Sequence, residues 1–241
     1  MKRSILRMPA RRSVLVLLPV LFLAACNKRP ADKRILQMVP EHADSMARAI
    51  EATVSPELAG GLSLRLWGVD SLVADPVAID VDDQGRLYYT RTNRQKHSEF
   101  DIRGHRDWEI RSIALQTVED KRAFLREELS PENSARNEWL ADLNGDSSHD
   151  WRDMTVEKEQ IYRLEDRSGD GVADLSQLVL EDFNEEVTDV TGGILAEGED
   201  LFVAVAPDLW RVKDRNGDGL ADEKTSVSHG YGVHVGFGGH G

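Results

Sequence analysis

The feature that most constrains this chain is a thirteen-residue segment that occurs twice. Tyr162-Arg163-Leu164-Glu165-Asp166-Arg167-Ser168-Gly169-Asp170-Gly171-Val172-Ala173-Asp174 returns as Trp210-Arg211-Val212-Lys213-Asp214-Arg215-Asn216-Gly217-Asp218-Gly219-Leu220-Ala221-Asp222, with eight of thirteen positions identical at an offset of 48. A period of roughly 40 to 50 residues suits a propeller blade of four short strands. The text between the copies divides accordingly: a strand from Gly193 to Ala196, a turn at Glu197-Gly198-Glu199-Asp200, a strand from Leu201 to Val205, a turn at Pro207-Asp208, and a strand from Leu209 to Lys213. Each acidic segment then joins the last two strands of a blade. Upstream, Val77, Ile79 and Val81 alternate with Ala78, Asp80 and Asp82, Asp83-Gln84-Gly85 supplies turn chemistry, and Leu87 to Thr90 is rich in β-formers, which together predict a hairpin.

The expected fold is mainly β: the N-terminal blades of a β-propeller over residues 62–241, with a helical insertion at about 93–158. Inside the insertion, Thr117-Val118-Glu119-Asp120 reads as a capping box for a helix that runs to about Leu129 and is stopped by Ser130-Pro131. Long irregular stretches in compact domains are usually functional, so the insertion is a candidate lid or docking surface. Two repeats cannot close a ring of four to eight blades, so an incomplete, truncated propeller is expected, the first part of a longer protein. Residues 26–61 read as a polar tether and lead-in, with one short helix around His42 to Thr53 and breakers at Pro40, Pro56 and Gly60-Gly61.

Residues 1–25 read as a signal peptide. Lys2, Arg3, Arg7, Arg11 and Arg12 precede a twelve-residue apolar run from Val14 to Ala25, too short for a hydrocarbon core that needs about 20 residues. The ending Leu23-Ala24-Ala25-Cys26 resembles the bacterial lipobox, which implies lipidation of Cys26 and a membrane-anchored protein of the cell envelope; the plain alternative is a chance cysteine after an ordinary cleavage site. Asn27 stands where an inner-membrane retention aspartate would be, which favours the periplasmic face of the outer membrane. Cys26 is the single cysteine, so the chain has no internal disulfide, no thiolate zinc site and no Cys-x-x-Cys-His haem attachment. With five positive and no negative charges in the leader, the formal net charge of −13 becomes −18 beyond it, a surface that repels nucleic acid and attracts divalent cations.

Two motifs carry candidate chemistry. Asp214, Asn216, Asp218 and Asp222 occupy positions one, three, five and nine of a loop with Gly219 at six and the Leu220 carbonyl at seven, a pattern similar to the Ca²⁺ loops of the EF-hand, dockerin and thrombospondin type-3 families. Asp166, Ser168, Asp170 and Asp174 repeat it with a neutral serine at three. Asp142-Leu143-Asn144-Gly145-Asp146 begins the same way but lacks glycine at six. In each case the alternative is an Asp/Gly turn without a cation. The second motif is the segment from His229 to Gly241, with His234 and His240 and six glycines, able to bring backbone close to a ligand; the alternative is a loop with solvated histidines. A lesser cluster is His97, Glu99, Asp101 and His105.

Asp75-Pro76-Val77-Ala78-Ile79-Asp80-Val81-Asp82 closed by Gly85-Arg86-Leu87-Tyr88, the two acidic loops, and Pro207-Asp208-Leu209-Trp210-Arg211 together resemble the opening blades of glucose/sorbosone dehydrogenase-like propellers in large bacterial membrane-bound dehydrogenase lipoproteins. The resemblance implies a pyrroloquinoline quinone (PQQ)-dependent dehydrogenase with Ca²⁺, a sugar or alcohol substrate, and a cytochrome acceptor in the longer protein. It also implies a histidine that takes the hydroxyl proton; His240 is the position that matches. Quinone-binding residues of that family lie in later blades, so nothing here corresponds to them, and the fragment alone is expected to be inactive. The rival reading is a non-catalytic Ca²⁺-stabilised module that binds polysaccharide or a protein partner.

Overall fold

Side chains that alternate between two environments every second residue make sheets with two usable faces, and this chain builds two such sheets. In the computed structural model, which describes residues 34–94, 98 and 101–236, the first sheet contains β1 (Ile35–Gln37), β2 (Ile79–Val81), β3 (Leu87–Arg91), β4 (Glu159–Glu165) and β5 (Leu175–Asp182) in the order β1-β5-β4-β3-β2. The second is a meander of β6 (Gly193–Glu197), β7 (Asp200–Val205), β8 (Asp208–Lys213) and β9 (Glu223–His229). All pairings are antiparallel. The protein is therefore mainly β with few helices, and no closed barrel forms among the described residues. Cys26, the leader and His240 lie outside the described residues.

The sheets stack through one core. Tyr88, Ile161 and Val179 of the first meet Leu201, Val203, Val205 and Val212 of the second, all of them buried. Each fully buried side chain of this size stabilises by about 1.5–3 kcal/mol relative to exposure. At the inner edges β2 and β6 lie side by side, and the Asp80 carboxylate accepts a hydrogen bond from the Ala196 N–H (2.7 Å), so a side chain of one sheet satisfies a backbone donor of the other. The opposite face of the first sheet carries Tyr89, stacked on Tyr162 at 5.2 Å, and Leu164. Helix α1 (Pro40–Glu51) covers that face. Pro40 supplies a preset φ at the helix start, and Ala43 and Ala47, one turn apart, are small enough for close approach. The lead-in is thus structural from Ile35 onward: β1 adds to β5, and α1 closes the core.

The insertion folds as a separate helical layer between β3 and β4. Helices α2 (Glu109–Ala114) and α3 (Val118–Glu128) surround Trp108, Phe124, Leu125, Leu129, Leu140 and Met154. The capping box forms as the sequence predicts: Asp120 N–H donates to the Thr117 hydroxyl (3.1 Å) and Thr117 N–H to the Asp120 carboxylate (2.9 Å). Two members of this core come from far along the chain, Val187 and Val235.

Candidate functional site

Aspartate and asparagine favour turns because their short side chains accept hydrogen bonds from N–H groups two to five residues ahead. Three loops use this chemistry in one pattern. In the loop from Asp166, the first carboxylate accepts from the N–H of Gly169 and of Gly171 (both 2.7 Å), the Ser168 hydroxyl from Asp170 N–H (3.3 Å), and the Asp170 carboxylate from Val172 N–H (2.9 Å). In the loop from Asp214 the same bonds run from Gly217 and Gly219 to Asp214 (both 2.7 Å), from Asp218 to Asn216 (2.9 Å) and from Leu220 to Asp218 (2.8 Å). Position nine turns back on its own loop: Asp174 accepts from Arg167 and Ser168 N–H groups, Asp222 from Arg215 N–H.

The third loop, from Asp142, makes the same set. Its acceptors take Gly145 (2.7 Å), Ser147 (3.0 Å), Asp146 (2.8 Å) and Ser148 (2.8 Å) N–H groups. Ser147 replaces the position-six glycine and adopts φ +67°. The closing carboxylate is Asp153 at position twelve, which accepts from Leu143, Asn144 and Asp150 N–H groups. The spacing Asp142, Asn144, Asp146, Ser148, Asp150, Asp153 therefore fills positions one, three, five, seven, nine and twelve of an EF-hand-type loop. Ser147 at position six obscures the pattern in the sequence.

These bonds set the electrostatics of the loops. Clustered carboxylates are relieved by backbone donors, so repulsion alone does not demand a cation. Partial burial would raise the Asp166 carboxyl, but the N–H groups of Gly171 and Gly169 and the Ser168 hydroxyl hold it below the usual carboxylate range. Among the described residues, no three His, Cys, Asp or Glu side chains converge on one point as a ready metal site. Each oxygen that accepts one N–H keeps a second lone pair for a cation. The two repeat loops are also docked. Arg65 donates to the Asp170 carbonyl (2.8 Å) and Gln177 to the Asp218 carbonyl (3.3 Å). Each donor sits over the position-six glycine: a Cβ on Gly171 would come within 2.9 Å of Arg65, and one on Gly219 within 2.2 Å of Gln177.

The histidine-glycine segment is fixed as far as Gly236. Lys121, 4% exposed on the core side of α3, donates to the Gly232 carbonyl (2.8 Å), the Val187 carbonyl (3.3 Å) and Asp189 (3.3 Å). Ser112 at the end of α2 accepts on its carbonyl from His234 Nδ1 (2.8 Å) and on its hydroxyl from Val235 N–H (2.9 Å), while Ile102 N–H reaches the Gly236 carbonyl (3.1 Å). His229 Nδ1 pairs with the buried Asp208 carboxylate at 2.9 Å. Lys121 was legible in principle, since it falls three and four residues from Val118, Phe124 and Leu125 on the apolar stripe. In the lesser cluster, His97 and Glu99 lie outside the described residues; Asp101 caps Arg103 N–H and His105 stacks on Trp108 at 4.3 Å.

Residues 49–235 match a family described as a domain of unknown function, DUF7133. The chain belongs to that family. No curated protein and no solved structure matches it. The matched region of this DUF7133 protein contains all three acidic loops, the insertion and the clamp on the segment 232–235.

Proposed function

We propose that this DUF7133 protein is a Ca²⁺-stabilised β module of the bacterial cell envelope, anchored through lipidated Cys26, whose two sheets are consecutive propeller blades. The observation that carries the Ca²⁺ reading is the recurrence of one hydrogen-bond pattern in three loops of different surroundings, each presenting oxygen side chains at positions one, three and five. Asp214, Asn216, Asp218, Asp222 and the Leu220 carbonyl would hold one ion; Asp166, Ser168, Asp170 and Asp174 a second; the loop from Asp142 to Asp153 a third. Oxygen-only donor sets suit a hard cation of Ca²⁺ type. The blade reading draws on the meander of the second sheet, the placement of each repeat loop between the last two strands of its sheet, and the inner strands β2 and β6 lying side by side.

Calcium that binds only the folded state raises stability by RT ln(1 + [L]/Kd), about 2.7 kcal/mol at a hundredfold excess over Kd. The chain from Cys26 onward should melt higher in Ca²⁺ than in chelator, and Asp218→Ala should remove more of the shift than Ser168→Ala, because it deletes a charged ligand. An unchanged melting curve in excess chelator would reduce the three loops to plain turns. The anchor has its own test: Cys26→Ser should abolish lipid labelling and leave an unprocessed precursor.

A second reading is the PQQ-dependent sugar or alcohol dehydrogenase implied by the resemblance, with His240 as the base. The quinone-holding positions of the resembled family have no counterpart in this chain. The test is His240→Gln in the full-length protein with a sugar or alcohol donor and an artificial acceptor. A positioned general base contributes about 10²- to 10⁴-fold, and undiminished turnover removes this reading while leaving the Ca²⁺ module intact.

A further inference from the structure

Beyond the leader the net charge of −18 is unevenly spread. Residues 27–34 hold Lys28, Arg29, Lys33 and Arg34 against one acid, Asp32, a net +3 that leaves −21 for residues 35–241. A basic stretch ahead of an acidic body is drawn to an anionic surface at one end and repelled by it elsewhere, so the charge orients the molecule as well as attracting it.

The residues that follow this stretch are apolar and exposed. Ile35 is 44% exposed, Leu36 50%, and Val39, which immediately precedes α1, 65%. Ile35 and Leu36 are neighbours on a strand and so point to opposite faces of the sheet. Only an approach along the sheet edge covers both. That edge is β1 itself, last in the order of its sheet, with β5 as its single strand neighbour among the described residues. Backbone groups on the outer side of β1 need polar partners, which lipid headgroups supply and acyl chains do not. A three-residue edge offers little to an added strand from a protein partner. The other exposed apolar pair, Ile110 and Ile113 on α2, lacks the charge: Arg106 beside it is paired with Glu109 (3.2 Å) and Arg111 with Glu127 (2.8 Å).

We propose that β1 and the entry to α1 are a contact surface for an anionic phospholipid headgroup layer, with residues 28–34 supplying the charge and Ile35, Leu36 and Val39 the apolar contact. The inference extends the anchoring reading of the proposed function, since Ile35 follows Cys26 by nine residues, a covalent reach of about 30 Å at full extension. The contact sets which edge of the fold faces the membrane. Its test removes the lipid: the chain from residue 26 onward carrying Cys26→Ser is mixed with phosphatidylcholine vesicles made with and without phosphatidylglycerol. Binding to the anionic vesicles alone, weakening as salt rises, is expected. Lys28→Gln with Arg29→Gln should weaken it about thirtyfold, from the usual attraction of two basic residues to an anionic surface. Leu36→Ser with Val39→Ser should weaken it about tenfold at an unchanged melting temperature. A polarity-sensitive fluorophore attached through Leu36→Cys should brighten on binding, and one attached through Ile113→Cys or Val227→Cys should not. Absence of binding, equal binding to both vesicle types, indifference to both double variants, brightening at Ile113 or Val227 without Leu36, or dimerisation in place of binding each overturns the proposal. Because every readout is made without Cys26, these outcomes stand apart from the lipid-labelling test of the anchor.

Discussion

The loop from Asp142 and the loop from Asp214 make the same turn with different residues at its sixth position. Ser147 reaches φ +67° and completes every N–H bond of the pattern, whereas Gly219 sits at φ +86°. The turn itself therefore does not require glycine. What differs is the neighbour: Gln177 packs over Gly219 and Arg65 over Gly171, while among the described residues no side chain donates to the carbonyl before Ser147. In the repeat loops glycine is required by what docks on them, and the acidic loops fasten each sheet to the element before it.

The comparison breaks most readily at Gly219→Ser. Its Cβ meets Gln177, a 4% exposed side chain also held by Arg163, so the new atom cannot be accommodated by a simple swing. The expected loss is about 2–4 kcal/mol, a fall in Tm of about 5–15 °C. If glycine serves the docking and not the turn, Gln177→Ala in the same chain should return about 1–2 kcal/mol of that loss in a double-mutant cycle; additive losses would return the glycine to the turn. Gly171→Ser should cost less, about 1–2 kcal/mol, because the Arg65 guanidinium is the far end of a long exposed side chain. Acid titration separates the loops further. The folded-state pKa of Asp166 is depressed, so its contribution is complete above the unfolded value of about 3.9 and disappears as pH falls through the folded value. Asp166→Asn should therefore be less stable than the parent at pH 7 and lose less between about pH 5 and 3 in denaturant melts. The smallest effect belongs to Ser147→Gly, a gain within about 1 kcal/mol as left-handed strain is removed and chain entropy is lost. A loss larger than that would mean the serine does more than turn the chain.

The fold was legible where period and turn chemistry coincide. The offset of 48 placed β6 to β9 and both repeat loops, and Thr117 with Asp120 marked the start of α3. The pairing of Ile35–Gln37 with β5 was not legible, since three exposed residues carry no period. Nor was the insertion's core, because Val187 and Val235 join it from other segments and only packing reveals them. The eight oxygen side chains of the repeat loops lie in two turns of one hydrogen-bond pattern, as their shared spacing suggests. Their mutual neutralisation by N–H groups was missed, because sequence lists side chains and not the backbone donors that face them. The third loop is harder to see in the sequence, because Ser147 stands at the position where the repeat loops carry glycine.

The insertion's core draws on residues more than a hundred positions apart, Trp108 and Phe124 on one side and Val235 on the other, with Lys121 seated under the Gly232 carbonyl. Contacts so distant in sequence cannot form until the intervening chain has been gathered, and loop closure of that length slows assembly. The contacts of Val187 and Val235 are therefore expected to close last in the helical layer, and refolding followed by hydrogen exchange should protect the amides of β7 and β8 before those of α3. Excised alone, residues 101–158 would hold a helix without the wall it leans on.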